Sequence, residues 1–127
     1  MLDDRCNTPS MAQLKDAALW DGLSNLAGWS ALLGERRGTE EVSCYAAPAR
    51  ATDLSGLPPL HLDLGSVEAV RDEAVDYATR IWQAGGEAEL HVWGGAFHSF
   101  DEWVPDAIVS RAANETRIAF MRRLLER

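Results

Sequence analysis

The sequence predicts an α/β fold in which two parallel strands are joined by a crossover helix. Residues 58–65 and 87–93 each alternate apolar and polar side chains, as half-buried strands do. Between them, residues 69–84 repeat apolar side chains at helical spacing. A helical connection of this length normally joins parallel strands with a right-handed crossover. A last helix over residues 106–126, and a helical segment before the first strand, complete the prediction.

The polar positions of both strands carry a histidine. In the first strand the apolar residues alternate with His61 and Asp63, and in the second they alternate with Glu89 and His91. We interpret both histidines as hydrogen-bonded residues on a sheet face. No pair of them stands at the sequence spacing of metal ligands, so no metal and no cofactor are predicted.

The two long helices are predicted from their apolar faces. Asp72 and Glu73 stand in the first turn of residues 69–84, where the helix dipole favours carboxylates, and a glycine pair ends that helix. The first face comprises Val70, Ala74, Tyr77, Ala78, Ile81 and Trp82, and the face of the last helix comprises Val109, Ala112, Ala113, Phe120, Leu124 and Leu125. Three tryptophans are expected to be core or packing residues: Trp29, Trp82 and Trp93.

The first half of the chain is predicted to contain loops and two helices. Residues 11–18 favour a short helix, and residues 23–33 a longer one with Ser24 as its N-terminal cap. Gly34 stands where a left-handed residue would close that helix. Its predicted buried face comprises Leu26, Trp29, Leu32 and Leu33, and residues 34–57 are predicted to be a loop.

The charge and composition exclude several classes of function. With a net charge of −8, the chain is expected to bind neither nucleic acid nor anionic membranes. No apolar run has the length of about 18 residues that spans a bilayer, and the first ten residues lack the features of a signal peptide. Cys6 and Cys44 lie in unrelated contexts and are interpreted as free thiols in a reducing cytoplasm.

One carboxylate and one histidine follow the carboxyl ends of the predicted strands. Glu68 lies in the loop after the first strand and His98 in the loop after the second. Because the carboxyl ends of parallel strands share one edge of a sheet, we expect the two side chains to meet there as an acid–base pair. Asp72 is the rival acid, but it lies one helical turn further on and is interpreted as structural.

Residues 94–98, which begin with Gly94-Gly95, are predicted to form a glycine-rich turn. The segment Phe97-His98-Ser99-Phe100, which follows this glycine pair, resembles the histidine loop of the bacterial hormone-sensitive-lipase-like esterases and lipases. Tyr45-Ala-Ala-Pro48, Leu54-Ser-Gly-Leu-Pro-Pro59 and Glu68-Ala-Val-Arg-Asp-Glu73 follow the order of motifs in that family. The resemblance implies an α/β-hydrolase fold with residues 1–127 as a single partial domain, helical and loop-like over 1–50 and βαβα over 51–127.

The resemblance also implies roles for individual residues. Glu68 stands where many members have the aspartate of the catalytic triad, and His98 stands at the triad histidine. Trp20 lies in the region that shapes the acyl pocket in that family. The substrate is then expected to be a small acyl ester.

The nucleophile of such an enzyme is not found in the sequence. Triad order in this fold is serine, then acid, then histidine, with the serine in Gly-x-Ser-x-Gly. Ser24 and Ser30 each have the first glycine of this motif but lack the second, and a His-Gly-Gly segment for the oxyanion hole is absent. We therefore expect a C-terminal portion of a longer ancestral chain, inactive alone, in which Met1 was internal or the gene was shortened.

Two functions stay open at this point. The first is an esterase portion completed by a missing N-terminal half. The alternative is a non-catalytic oligomerisation or binding module, because a two-stranded parallel sheet leaves open edges that a second copy could cover. The sequence therefore predicts either a homo-oligomer or a partner that supplies the N-terminal half.

Overall fold

The computed structural model describes residues 1–16 and 19–126. Two 3₁₀ turns, Gly34–Arg36 and Pro48–Arg50, lie in the long segment for which the sequence predicts a loop. The helices and strands, in chain order, are α1 (Pro9–Gln13), α2 (Gly22–Leu33), β1 (Leu60–Val67), α3 (Arg71–Gln83), β2 (Ala88–Phe97), α4 (Phe100–Trp103) and α5 (Ile108–Leu125).

Strands β1 and β2 pair in parallel, which confirms the predicted α/β arrangement. In the register, His61 lies opposite Glu89 and Asp63 lies opposite His91. Helix α3 connects the strands and contacts both of them. Helix α5 lies over the sheet face that carries His61, because the ring of Phe120 contacts the His61 imidazole.

Helix α3 buries the short side chains of its predicted apolar face. Ala74, Ala78 and Ile81 are buried, as successive turns on one face of an amphipathic helix require. Trp82, for which the sequence predicts a core or packing role, does not belong to the core, because this side chain is 47% exposed. Its indole nitrogen instead donates a hydrogen bond to the Ala88 carbonyl (2.9 Å), which joins the end of α3 to the start of β2.

Helix α2 begins and ends differently from the prediction. Its N-terminal cap is Asp21, whose carboxylate accepts a hydrogen bond from the Ser24 N–H (2.7 Å), so the assignment of Ser24 as cap is wrong. Trp29 and Leu33 are buried as predicted, whereas Leu32 is 62% exposed. Gly34 has φ 57° and ψ −134°, a positive φ outside the left-handed helical region, and it starts a 3₁₀ turn.

The predicted helix over residues 11–18 is shorter and begins earlier, as α1. Thr8 caps it through its hydroxyl, and Pro9 occupies the first turn, where a missing N–H costs nothing. Residues 17–18 of that prediction lie outside the described residues. Among the described helices, no helix is long and apolar enough to cross a membrane.

Strand β2 continues through Gly94 and Gly95, where the sequence predicts a turn. The register shifts after Gly65 opposite Trp93, and pairing resumes at Val67 opposite Phe97, so β2 accommodates extra residues in a bulge. Gly95 adopts the positive φ (77°) that such a bulge favours. The prediction failed because a glycine pair is equally typical of turns and of bulges.

The first residues of the chain are anchored by a buried ion pair. Asp4 is fully buried, and its carboxylate accepts hydrogen bonds from the Arg50 guanidinium (2.5 and 3.0 Å) and from the Gly38 N–H (2.7 Å). Burial alone would raise the pKa of Asp4, but the hydrogen bonds from Arg50 and Gly38 hold it below its ordinary value. The ion pair therefore joins Asp4 to Arg50, which lies far from it in the sequence.

Candidate active site

Glu68 follows the last residue of β1 and is buried, with 5% of its surface exposed. Its Oε1 accepts a hydrogen bond from the Gly65 N–H (2.8 Å), which holds the carboxylate against the end of the strand. The Glu68 carbonyl accepts a hydrogen bond from the Arg71 N–H at the start of α3. The acid is therefore fixed by the turn from strand to helix and has little rotational freedom.

His98 follows β2, and its Nδ1 lies 3.0 Å from Glu68 Oε2. An ionised carboxylate can only accept a hydrogen bond, so Nδ1 is the donor in this bond, and in a neutral ring the lone pair is then on Nε2. The His98 side chain is 37% exposed, whereas that of Glu68 is 6% exposed. The structure thus brings together the two side chains that the sequence predicted to meet, with the acid inside and the imidazole open to solvent.

The bulge at the end of the sheet sets this geometry. A Cβ on Gly65 would lie 2.1 Å from the Ala96 carbonyl oxygen, so the two backbones approach too closely for any other residue. The Gly95 N–H donates a hydrogen bond to Ser66 Oγ (2.8 Å), which joins the ends of the two strands directly. Ser99, the residue after His98, has φ 56° and turns the chain into α4.

Trp20 packs against the catalytic candidate. Its ring is stacked on the His98 imidazole, with 5.8 Å between centroids and 30° between planes. Its indole N–H donates a hydrogen bond to Oδ1 of the buried Asn25 (3.4 Å), so the ring is anchored on α2. The expected role of Trp20 in an acyl pocket stays a prediction.

A cavity of about 270 Å³ opens beside this pair, and its lining includes Leu64, Glu68, Glu73 and His98. Glu73 is buried, and its Oε1 accepts a hydrogen bond from the Leu2 N–H (2.7 Å). Within the described residues, no hydrogen-bond partner reaches its other oxygen. Burial raises the pKa of Glu73. The sequence indicates only a dipole-favoured carboxylate at this position, since the burial of Glu73 depends on the packing of residue 2 against α3.

The rival acid Asp72 and a second carboxylate, that of Asp63, are engaged elsewhere. Asp72 accepts hydrogen bonds from the Ser10 N–H (2.7 Å) and from Arg71 Nε (2.8 Å), consistent with its predicted structural role. Asp63 accepts hydrogen bonds from Arg117 (2.7 Å) and from the Trp93 indole. Both carboxylates therefore serve to join elements of the fold.

The other two histidines form a cluster that linear spacing did not reveal. The His61 and His91 rings lie 5.5 Å apart, and His91 Nε2 lies 3.0 Å from Glu89 Oε1. In the part of the chain that the structure describes, the buried His61 Nε2 has no hydrogen-bond partner. The interpretation of His61 as a hydrogen-bonded histidine is therefore wrong at this atom.

A half-exposed imidazole that is oriented by a buried carboxylate can act chemically as a general base. The acid fixes the ring so that Nε2 presents its lone pair, and it stabilises the imidazolium that forms when Nε2 takes a proton. Such a pair can activate a hydroxyl group or a water molecule at the open side of the ring.

Comparison with known proteins agrees with this geometry. A family model described as the α/β hydrolase fold matches residues 1–102. An acetyl-hydrolase from Streptomyces hygroscopicus is 34% identical over 85 residues, which are 67% of this chain and 28% of that protein.

Two solved structures extend the likeness to almost the whole chain. A bacterial heroin esterase is similar at 43% identity with a TM-score of 0.88, over 96% of this chain and 39% of that one. An esterase of the bacterial hormone-sensitive lipase family is similar at 26% identity with a TM-score of 0.82, over 96% of this chain and 40% of that one. The chain thus spans well under half the length of these proteins. It belongs to the α/β-hydrolase-fold family, and a bacterial hormone-sensitive-lipase-family esterase, expected from its motifs, is among the structures it resembles.

Proposed function

We propose that this chain contributes the acid and the histidine of a serine esterase that cleaves small acyl esters. The observation that carries the proposal is the 3.0 Å contact between His98 Nδ1 and Glu68 Oε2 at the carboxyl ends of two parallel strands. The names of the similar proteins, an acetyl-hydrolase and two esterases, support the choice of a carboxylic ester as substrate.

In the proposed reaction, His98 transfers protons in both half-reactions. Its Nε2 takes the proton of a serine hydroxyl as that oxygen attacks the acyl carbon, and then gives the proton to the departing alcohol. A water molecule then attacks the acyl-serine in the same way, and the carboxylic acid leaves. Glu68 stays ionised throughout and stabilises the imidazolium. Its burial strengthens this interaction, because charges attract more strongly where water is excluded.

The serine would come from outside these 127 residues, either upstream in a longer polypeptide or from a separate chain. The sequence contains no Gly-x-Ser-x-Gly, and Ser24 and Ser30 lie inside α2 and not on a strand-to-helix turn. The free thiols of Cys6 and Cys44 fit action in a reducing compartment such as the cytoplasm. In-frame DNA that encodes the serine motif upstream of the Met1 codon would support the first route.

A chimera tests the proposal directly. The chain replaces the matching portion of the bacterial heroin esterase, to which it is 43% identical, and hydrolysis of p-nitrophenyl acetate is measured. We expect Glu68→Gln to lower kcat by about 10³–10⁴-fold, because the amide no longer fixes the imidazole tautomer. Glu35→Gln changes the same chemical group at an exposed site and should leave kcat unchanged.

His98→Ala provides the second measurement on the same chimera. It should abolish acyl-serine formation while the far-ultraviolet circular dichroism stays that of the parent. A folded chimera that keeps its full rate without the imidazole would contradict the proposal. So would a rate for Glu68→Gln equal to that of Glu35→Gln.

A second candidate function, self-association, follows from the sheet edges. Within residues 1–16 and 19–126, β1 and β2 pair only with each other, so each strand presents one row of unpaired backbone groups. Such edges favour addition of another strand. Light scattering on the isolated chain tests this. A dimer supports a binding module, and a stable monomer at high concentration speaks against it.

A further inference from the structure

We propose that His61, Glu89 and His91 form a binding site for a divalent transition metal, with zinc as the ion that the three ligands fit best. One ligand atom from each side chain lies within 4.8 Å of the other two. Two imidazoles and one carboxylate are a ligand set typical of zinc sites with an open fourth position. This site is separate from Glu68 and His98, which follow the carboxyl ends of the same strands.

The register of the parallel sheet brings these ligands together. His61 lies directly opposite Glu89, and His91 follows Glu89 by two residues on the same face. Adjacent strands lie about 4.8 Å apart, so side chains at opposed and diagonal positions can reach a common ion. Tetrahedral zinc, with bonds of about 2.0–2.1 Å, needs ligand atoms about 3.4 Å apart. Small side-chain rotations of Glu89 and His91, which are only part-buried, can supply that contraction.

The unpaired nitrogen of His61 is the second observation. Its Nε2 is buried and, in the described part of the chain, no hydrogen-bond donor or acceptor reaches it. Buried polar atoms are nearly always paired, and an unpaired one calls for a ligand.

The groups around the cluster fit a bound cation. One oxygen of the Glu89 carboxylate lies beside His91, and Arg123 pairs with the other oxygen. Arg117, the nearby cation on the same helix, is neutralised by Asp63 and Asp101. A carboxylate that binds a metal is commonly held by a second residue, as Arg123 holds Glu89.

Helix α5 covers this face and leaves a route for the ion. The Phe120 ring lies 5.1 Å from that of His61 and shields the cluster on one side. A surface cavity of about 460 Å³ opens beside His61, with Asp63, Arg117 and Met121 also in its lining. Because the ligands come from both strands, metal binding would link β1 to β2 and stabilise their pairing.

Zinc titration of the full 127-residue chain, followed by calorimetry, tests the site. We expect one zinc per chain and an increase in the melting temperature with zinc concentration. Cobalt should give the visible absorption of a four-coordinate site without a thiolate band. Magnesium and calcium prefer oxygen ligands, so they should bind the parent chain no more strongly than they bind variants that lack one of the three ligands.

Matched variants identify the ligands. His61→Ala and Glu89→Gln should each weaken zinc binding by at least about 100-fold. Glu89→Gln changes a part-exposed side chain without changing its shape, so it still tests the site if His61→Ala fails to fold. His98→Ala removes the remaining histidine and should bind zinc like the parent. A Cys44→Ser background excludes capture by the exposed thiol. Three results would overturn the proposal. They are the absence of saturable binding at millimolar zinc, a zinc affinity of Glu89→Gln equal to that of the parent, and loss of zinc binding in His98→Ala.

Discussion

The indole of Trp20 is stacked on the imidazole of His98, with 5.8 Å between the ring centroids. The two residues are far apart in sequence: Trp20 lies just before α2, and His98 lies just after β2. The stack covers one face of the proposed general base while Glu68 holds its Nδ1. The imidazole is thus constrained by packing as well as by a hydrogen bond.

Trp20→Ala should loosen the His98 ring. Aromatic pairs contribute about 0.5–1.5 kcal/mol beyond burial, so we expect kcat of the chimeric esterase to fall by up to about tenfold. In the isolated chain, the carbon-bound ring protons of His98 should move downfield in NMR spectra as the ring current disappears. Trp20→Phe keeps an aromatic ring and is the control. Identical spectra for the alanine variant and the parent would contradict the stacked geometry.

Gly65→Ala should disrupt the end of the sheet. The added Cβ would lie 2.1 Å from the Ala96 carbonyl oxygen, so the strands must separate at the point that positions Glu68. We expect a loss of about 2–3 kcal/mol in the free energy of unfolding, measured with urea. Gly94→Ala is the matched control, since a Cβ on Gly94 would meet no atom within 4 Å and the φ of this residue is not positive. Equal losses in both variants would show that the close approach is not the cause.

Arg50→Ala should strongly destabilise the fold. It leaves the Asp4 carboxylate buried without its cation, and breaking a buried pair in this way costs about 3–5 kcal/mol. Because the pKa of Asp4 is depressed in the folded state, the pair stabilises above the unfolded-state pKa, and this stability is lost as the pH falls through the folded-state value. Urea unfolding should therefore show a weaker acid dependence in the variant.

The exposed Arg36 gives the control for that measurement. Arg36→Ala removes the same charge from the surface and should change the free energy of unfolding by no more than about 0.5 kcal/mol. A loss in Arg50→Ala no greater than this would mean that the Asp4 carboxylate finds another partner.

Glu73→Gln should stabilise the chain near neutral pH. Burial raises the pKa of Glu73 in the folded state, so the parent loses stability as the pH rises from the unfolded-state pKa through the folded-state pKa. Glutamine carries no charge and can still accept the Leu2 N–H. Urea unfolding at about pH 4 should give similar values for variant and parent, and near neutral pH the variant should be the more stable.

Glu115→Gln, at an exposed position of α5, is the control and should have the same free energy of unfolding as the parent at both pH values. If Glu73→Gln showed the same pH dependence as this control, the raised pKa of Glu73 could not be responsible for the change in stability.

Helix positions were predictable where one side chain dominated the packing. Trp29 and Leu33 are buried on α2 as their spacing predicts, but Leu32, one residue away, is exposed. Periodicity locates a face to within about one residue, and only the neighbouring elements decide its edges. The same limit explains Trp82, which lies at the border of the α3 face and forms a hydrogen bond with the Ala88 carbonyl.

The sequence by itself determined the order of the two strands and of the helices other than α4, the parallel pairing, and the end of the sheet at which Glu68 and His98 would be found. These depend on periodicity and on the length of the crossover, which are local properties of the chain. Only the tertiary structure decided the register, which places His61 beside Glu89 and His91, and the packing that places Trp20 on His98. Register and packing arise from contacts between residues distant in the chain, and no local pattern encodes the distance between two side chains on different elements.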